Sequence, residues 1–450
     1  MEIKQFEDKG LAHYSYALVS NGEIALIDPA RNPQPYYDFA KQHQAKITTV
    51  IETHPHADFV SGHAEIARTT GATIYVSKLL GAEYPHQTFD EDDTIMVGNT
   101  KLQALNTPGH SPDSICIIVQ DEQGKPVGLF SGDTLFIGDC GRPDLRESAG
   151  AITAAREELA KAMYHSLRNK LIGLPNDVKV YPAHGAGSLC GRGLSSQNSS
   201  TMGAEKISNW SLQEMSETEF VKALLEGQPF VPKYFGFDVM LNKKGADNYL
   251  ESISGIQKHS PITDESMANM LDPNIPVIDA RPDKEFKKSY LKNSYNLMKG
   301  GKFETWLGSI IGPGESFYLA ASNDDDLNSL IAQIAKIGYE KQIKMAFVLN
   351  YGNTEWELFD DTHLKEQENS FTIVDVRNVN EVKEGKLFEN ALNIPLPELR
   401  ERVHEIPLNK PIVVHCAAGY RSAAATSIIK ASLNGDVKVY DLGEAVNHYK

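Results

Sequence analysis

Thr53-His54-Pro55-His56-Ala57-Asp58-Phe59 follows directly on the β-rich run Ile47–Glu52. A T-H-x-H-x-D run at a strand end puts two imidazoles and a carboxylate in one tight turn, where their lone pairs can converge on a single cation. The flanking sequence repeats the arrangement. Short β-rich runs occur at Glu23–Asp28, Lys101–Asn106, Ser114–Gln120 and Val178–Tyr181, with helical patterns at Phe59–Thr70 and Ala151–Lys170 between them. Polar residues stand just after the strands, which suits a layered α/β fold with its site at one sheet edge.

Three further loops carry the same device. Asn106-Thr107-Pro108-Gly109-His110-Ser111-Pro112 sets a histidine on a Pro/Gly turn, Phe130-Ser131-Gly132-Asp133-Thr134 sets a carboxylate, and Tyr181-Pro182-Ala183-His184-Gly185 sets another histidine. A lone loop histidine is more often solvated than liganded. Four such loops in the order T-H-x-H-x-D, T-P-G-H, S-G-D and Y-P-A-H are far more specific. His13 and Asp28 are read as packing or turn-capping residues, His63 as a surface or helix-packing residue, and Cys140 as buried structure.

Together these motifs resemble the metallo-β-lactamase superfamily, where a histidine usually follows the aspartate of the first loop and helps hold a second metal. Phe59 stands there instead and has no lone pair to give. One metal is therefore expected. Two imidazoles and one carboxylate, from His54, His110 and Asp133, would leave open positions on a non-haem Fe(II) for a substrate and O2. The same loops, with Gly138-Asp139-Cys140-Gly141-Arg142, are similar to the persulfide dioxygenases. That resemblance implies His54, His110 and Asp133 as ligands of one Fe(II) per chain. It assigns His56, Asp58 and His184 to orienting water, substrate or ligands around the metal. Arg142 stays open between a structural ion-pair partner and an anchor for an anionic thiol substrate. Cys190, in Gly187-Ser188-Leu189-Cys190-Gly191, is a candidate for approaching the metal and handling persulfide.

The chain has 450 residues, too many for one ordinary core. Its 44 basic and 60 acidic residues give a net charge of −16, which argues against duplex nucleic acid or an anionic membrane as a partner. No signal-peptide pattern and no bilayer-spanning apolar stretch is read. The four cysteines, Cys116, Cys140, Cys190 and Cys416, are too scattered for a disulfide framework, so a cytoplasmic protein is expected.

From about residue 255 the texture changes. Pro276-Val277-Ile278-Asp279-Ala280-Arg281 opens one α/β unit and Thr372-Ile373-Val374-Asp375-Val376-Arg377 opens another, each strand ending in Asp-x-Arg before an acidic helix start. They begin about a hundred residues apart, as a duplicated domain would. The polar run Asp360–Ser370 is read as their linker. In the second unit the buried pattern Pro411-Ile412-Val413-Val414-His415 delivers Cys416-Ala417-Ala418-Gly419-Tyr420-Arg421-Ser422 and then a helical run, Ala423–Leu433. A thiol on a loop at a helix N-terminus meets unpaired backbone N–H groups, which favour a thiolate or an anionic persulfide. Arg421 is expected to close that loop with an inward guanidinium. The C-x-x-x-x-R pattern after V-V-H resembles the rhodanese sulfurtransferases. The first unit has the opening but reads Ala320-Ala321-Ser322-Asn323-Asp324-Asp325-Asp326 where the active loop should be. Without a thiol it is expected to be degenerate and structural.

The whole chain thus resembles bacterial persulfide dioxygenase–rhodanese fusions. The expected fold is α/β: a metallo-β-lactamase αββα sandwich over 1–250, a cysteine-less rhodanese-like domain over 255–355 and an active rhodanese domain over 360–450. The implied chemistry is oxidation of a thiol persulfide, carried on glutathione or coenzyme A, by O2 to sulfite and thiol. Cys416 would then interconvert persulfide, sulfite and thiosulfate in sulfide detoxification. Relatives imply a homodimer or homotetramer. A zinc thioester hydrolase of the glyoxalase II kind fused to a rhodanese is the alternative enzyme, and a persulfide-relaying or sensing protein is a third class.

Overall fold

The strand Ile115–Gln120 is buried along its entire length, and its alternate residues face two different cores. Ile115, Ile117 and Val119 point into one apolar cluster, Cys116 and Ile118 into another. A strand apolar on both faces must lie in the middle of a layered fold. The computed structural model describes residues 1–145, 156–433 and 437–450. The chain divides into two compact units, Met1–Ser252 with Ala335–Gly338, and Ile253–Ile334 with Tyr339–Lys450.

In the first unit two six-stranded sheets are seen among the described residues. One runs β1 (Glu2–Asp8), β2 (His13–Ser20), β3 (Glu23–Ile27), β4 (Lys46–Ile51), β5 (Thr73–Val76) and β6 (Gln87–Thr88). The other runs β12 (Ser200–Thr201), β11 (Lys179–Pro182), β10 (Pro126–Gly132), β9 (Ile115–Gln120), β8 (Thr100–Asn106) and β7 (Thr94–Val97). Residues of both sheets, among them Tyr16, Leu18, Ile27, Leu102, Ile117 and Phe130, share the central core. The outer face of the first sheet packs with Tyr36 and Phe39 of the helix Gln34–Gln42 and Ile66 of the helix His63–Thr70. The outer face of the second packs with Met163 of the helix Arg156–Ser166 and with Phe220 and Leu224 of the helix Glu217–Leu225. This is the αββα sandwich expected from the sequence.

Two of the expected helices differ at their starts. The helix expected over Phe59–Thr70 begins at His63. Phe59 is consumed by ring packing and Ser61 by hydrogen bonds to Glu52 and the Pro29 carbonyl, so the chain stays in the loop for longer. The helix expected over Ala151–Lys170 is seen from Arg156, since 146–155 lie outside the described residues; past Ser166 it widens into a π turn, Leu167–Leu171. The Gly/Ser-rich stretch 191–203 is mostly loop but contains β12 and the start of the helix Met202–Ser208.

The second unit holds two four-stranded parallel sheets among the described residues. The first has the order β14 (Ser294–Asn296), β13 (Val277–Asp279), β15 (Phe317–Ala321), β16 (Ile343–Val348). The second has the order β18 (Leu392–Asn393), β17 (Thr372–Asp375), β19 (Ile412–His415), β20 (Val439–Asp441). The arrangement is duplicated, as the repeated Asp-x-Arg strands predict. Among the described residues no helix is long and apolar enough to cross a membrane.

Candidate functional site

The four loops expected to carry the metal chemistry do meet at one end of the sandwich. β4, β8, β10 and β11 each deliver one, directly after the strand. His54, His110 and Asp133 are buried and offer donor atoms that all lie within 4.8 Å of one another.

Their hydrogen bonds determine which atoms are available. Thr53 Oγ1 donates to Asp28 Oδ2 at 2.9 Å and so has only lone pairs to offer His54 Nδ1, 3.0 Å away. The proton of that contact is therefore on His54 Nδ1, and Nε2 keeps its lone pair. His110 Nδ1 lies 2.9 Å from the Arg142 carbonyl, which can only accept, so its Nε2 is likewise a lone-pair donor. The two Nε2 atoms sit 3.7 and 3.5 Å from Asp133 Oδ2. That oxygen is buried without a hydrogen-bond partner. Two lone pairs facing an orphaned carboxylate oxygen are mutually repulsive unless a cation lies among them, so the three residues fit a metal ion. Burial, followed by the neighbouring His56, holds the His54 imidazole well below its ordinary pKa, in the neutral form a metal needs. Burial works to raise the Asp133 carboxyl, but the surrounding imidazoles, His184 foremost, outweigh it and hold it well below the carboxylate range.

The packing behind the ligands is tight. A Cβ at Gly141 would run into the Asp133 backbone oxygen and come within 3.0 Å of His110 Nδ1. Only glycine lets the Asp139–Arg142 turn pass behind both residues.

His184 bridges the other Asp133 oxygen, at 2.8 Å from Nδ1, and Asp58 Oδ2, at 2.8 Å from Nε2. Carboxylates only accept, so both ring nitrogens donate. Burial works against charge here, yet Asp133 and Asp58 raise the imidazole pKa well above its ordinary value. Cys190 joins this group: Asp58, His184 and Cys190 form a second cluster with donor spacing suited to a metal. Burial first, then the Asp58 and Asp133 charges, push the Cys190 thiol well above its usual pKa. Arg142 is engaged by neighbouring groups of the protein. Its Nε and Nη2 donate to both oxygens of Asp144, at 2.7 and 2.6 Å, and Nη1 to the Leu189 carbonyl at 3.2 Å.

His56 lies beside His54, ring centroids 4.2 Å apart, and its Nδ1 is buried without a hydrogen-bond partner. Its Nε2 lies 3.1 Å from Asp28 Oδ1 and 3.6 Å from Glu52 Oε2. Burial opposes charging the ring, but Asp28 and Glu52 raise its pKa. His63 is fully buried behind Glu52, so it belongs to packing and not to the surface. Phe59 lies against His13, with ring centroids 3.8 Å apart, and 4.4 Å from His56. Sequence reasoning set aside Asp28 and His13. For Asp28 a signal existed: it is a carboxylate immediately after β3, the same device as the other loops, and it holds Thr53 by both N–H and hydroxyl. For His13 there was none, because strand pairing alone brings β2 beside the 184 loop.

In the second unit Cys416 follows β19 and is buried. Its Sγ accepts the Gly419 N–H at 3.1 Å. Ala417 is half-buried and Ala418 exposed, and the helix begins at Tyr420, three residues earlier than expected. Gly419 has φ +101°, and a Cβ there would come within 3.2 Å of Glu444 N, so the tight turn around the thiol requires glycine. Tyr420 donates its hydroxyl to the Met298 carbonyl at 3.0 Å, and Ser422 donates to the Gly419 carbonyl at 3.0 Å. The Arg421 guanidinium is clamped by Glu381, Nη1 to Oε2 at 2.6 Å and Nη2 to Oε1 at 2.8 Å, and it stays within electrostatic reach of the Cys416 thiol.

Comparison with known proteins agrees with this architecture. The metallo-beta-lactamase superfamily profile matches residues 8–184, and the rhodanese-like domain profile matches 263–358 and 360–445. A crystal structure of a metallo-beta-lactamase from Staphylococcus aureus subsp. aureus COL is 32% identical, with a TM-score of 0.68 over 77% of this chain and 98% of that one. The chain therefore belongs to the metallo-β-lactamase superfamily, with rhodanese-like domains following that fold. Among curated proteins it is 31% identical over 176 residues to the cytoplasmic hydroxyacylglutathione hydrolase of Arabidopsis thaliana, covering 38% of this chain and 63% of that protein. It is 30% identical over 164 residues to the human mitochondrial persulfide dioxygenase ETHE1, covering 36% of this chain and 59% of that protein. The chain thus spans about three fifths of the length of these two relatives.

Proposed function

We propose that this chain is an Fe(II) persulfide dioxygenase joined to a Cys416 sulfurtransferase. The observation that carries the reading is the convergence of two imidazole lone pairs on the orphaned Asp133 oxygen. His54, His110 and Asp133 would hold one iron, which when bound supplies open positions for a persulfide sulfur and O2. Around it, Thr53 and the Arg142 carbonyl fix the two ligand tautomers, and His184 keeps a proton between Asp133 and Asp58. Phe59 and His13 present closed ring surfaces beside Asp58 and keep water from that flank. The net reaction is RSSH + O2 + H2O → RSH + sulfite + two protons, with glutathione or coenzyme A as the carrier thiol. At the second site the Cys416 thiolate attacks the outer sulfur of a persulfide and releases the carrier thiolate. The enzyme persulfide then gives that sulfur to sulfite, forming thiosulfate and regenerating the thiolate.

A second reading is favoured by the Asp58–His184–Cys190 cluster and the hydroxyacylglutathione hydrolase relative: a two-zinc thioester hydrolase in which Cys190 makes good the ligand missing at Phe59. O2 uptake by iron-reconstituted protein given glutathione persulfide, beside metal-free and zinc-loaded samples, separates the two. Uptake with sulfite formation in the iron sample alone is expected. Thioester hydrolysis by a sample carrying two zinc ions, with no O2 uptake, would put the hydrolase first.

A further inference from the structure

The two rhodanese-like domains of the second unit differ at one pair of positions in a way that assigns a role to Glu381. Cys416 and Ser322 are the first residues after β19 and β15, and counting five residues on gives Arg421 in one domain and Leu327 in the other. Four residues after each Asp-x-Arg arginine stands a glutamate, Glu381 and Glu285. Glu381 is held by Arg421. In the domain without that arginine, Glu285 accepts a 2.8 Å hydrogen bond from Ser322 Oγ, on the residue that stands where the thiol would be. A glutamate here thus reaches the sulfur position unless an arginine holds it off.

We propose that Glu381 is a positioning residue that gates the Cys416 loop: it neutralises Arg421 until a doubly charged oxoanion displaces it, and so selects sulfite- and thiosulfate-like ligands over singly charged ones. The inference rests on the sulfurtransferase reading of this loop. Displacement makes and breaks no covalent bond; the oxoanion takes the guanidinium N–H groups and Glu381 turns to solvent. The geometry permits this. The Glu381 side chain is 34% exposed and that of Arg421 14%, whereas the neighbouring Arg377–Asp375 pair is at 9% and 3%. One pair lies within reach of an incoming anion and the other is enclosed scaffold. Glu381 Oε2 also accepts the Asn378 N–H at 3.0 Å, so the carboxylate has an anchor when it lets go of Arg421. The Trp306 ring centroid lies 5.9 Å from the Arg421 guanidinium carbon, within cation–π range. The helix after the loop has no acidic residue in its first turn, so its N–H groups remain available to the same anion.

The test is steady-state sulfur transfer from thiosulfate to cyanide by the full chain. In Glu381→Gln the KM for thiosulfate should fall roughly five-fold with kcat little changed, the scale of releasing one partly exposed ion pair. Glu381→Ala should behave alike if Glu381→Gln folds poorly, and Glu381→Asp, which keeps the charge, should return KM towards wild type. An unchanged or higher KM with a lower kcat in both neutral variants would mean that the pair merely props the loop, overturning the proposal. A second arm needs no turnover: alkylation of Cys416, followed by peptide mass spectrometry, with sulfate as protectant. Half-protection should need about five-fold less sulfate in Glu381→Gln than in wild type, and equal concentrations would sink the gate. If wild type transfers no sulfur, the sulfurtransferase reading falls, while this arm still decides whether Glu381 controls anion access.

Discussion

The two parallel-sheet domains of the second unit share a scaffold and differ in a loop. Arg281 and Arg377 each donate through Nε and Nη2 to the aspartate two residues before them, and each aspartate also accepts the arginine N–H. Asn296 and Asn393 repeat one another: each gives its amide to the carbonyls of that aspartate and arginine, at 2.9 to 3.1 Å. Above this common base the loops part. Between β19 and its helix lie Cys416 to Gly419; between β15 and its helix lie only Ser322 and Asn323. Asn323 caps the Asp326 N–H at 2.8 Å, and three aspartates fill the first turn, where the helix dipole would otherwise draw a substrate anion. The scaffold is common to both domains, and in the cysteine-less one the protein's own carboxylates occupy the first turn of the helix.

This contrast can be broken experimentally. Cys416→Ser should lower sulfur transfer on the order of 10³-fold or more while leaving O2 uptake by the iron form intact. Adding Ser322→Cys to that variant should restore nothing, because the shorter loop and Asp324–Asp326 leave no place for an anion; recovered transfer would erase the distinction drawn between the domains. Next in size, Arg281→Ala and Arg377→Ala should each cost about 3–5 kcal/mol in denaturant unfolding, since each leaves a buried aspartate unpaired. A much smaller loss at one of them would show that the scaffolds are not equivalent. Asn296→Ala and Asn393→Ala should cost about 1–2 kcal/mol each, the larger at the more buried Asn296.

The smallest effect is one of pH. Burial works to raise the Glu381 carboxyl, but the Arg421 hydrogen bonds and charge outweigh it and hold its pKa below the ordinary value. A lowered carboxyl stabilises the fold above its unfolded pKa, about 4.3 for glutamate, and that contribution disappears as pH falls through the lower folded value. The wild-type advantage in Tm over Glu381→Gln should therefore be present at neutral pH and close in acid. A gap that widened in acid would reverse the sign of the argument.

Much of this protein was legible in its sequence because the informative residues sit where strands end. β4, β8, β10 and β11 each finish at a polar motif, and loops that directly follow strands are where a layered α/β fold places its site. Thus the donor-bearing loops, the Cys416 loop and the duplicated Asp-x-Arg strands follow from local patterns, while the choice of His54, His110 and Asp133 among those donors came from the resemblance to the persulfide dioxygenases. Other features do not. The partners of His56 Nε2 are Glu52, four residues before it in the same run, and Asp28, a carboxylate after β3 whose approach no spacing reveals. The clamp on Arg142 by Asp144 and the carbonyl of Leu189, the arrival of Cys190 beside Asp58 and His184, and the capture of Arg421 by Glu381 all join residues far apart or reached by loops of no fixed geometry. The sequence by itself determined which donors the protein owns and which strand end carries each, since side-chain chemistry and backbone periodicity are local. Only the tertiary structure decided which donors are already spent on a partner, because a hydrogen bond or ion pair depends on distances that the whole fold sets.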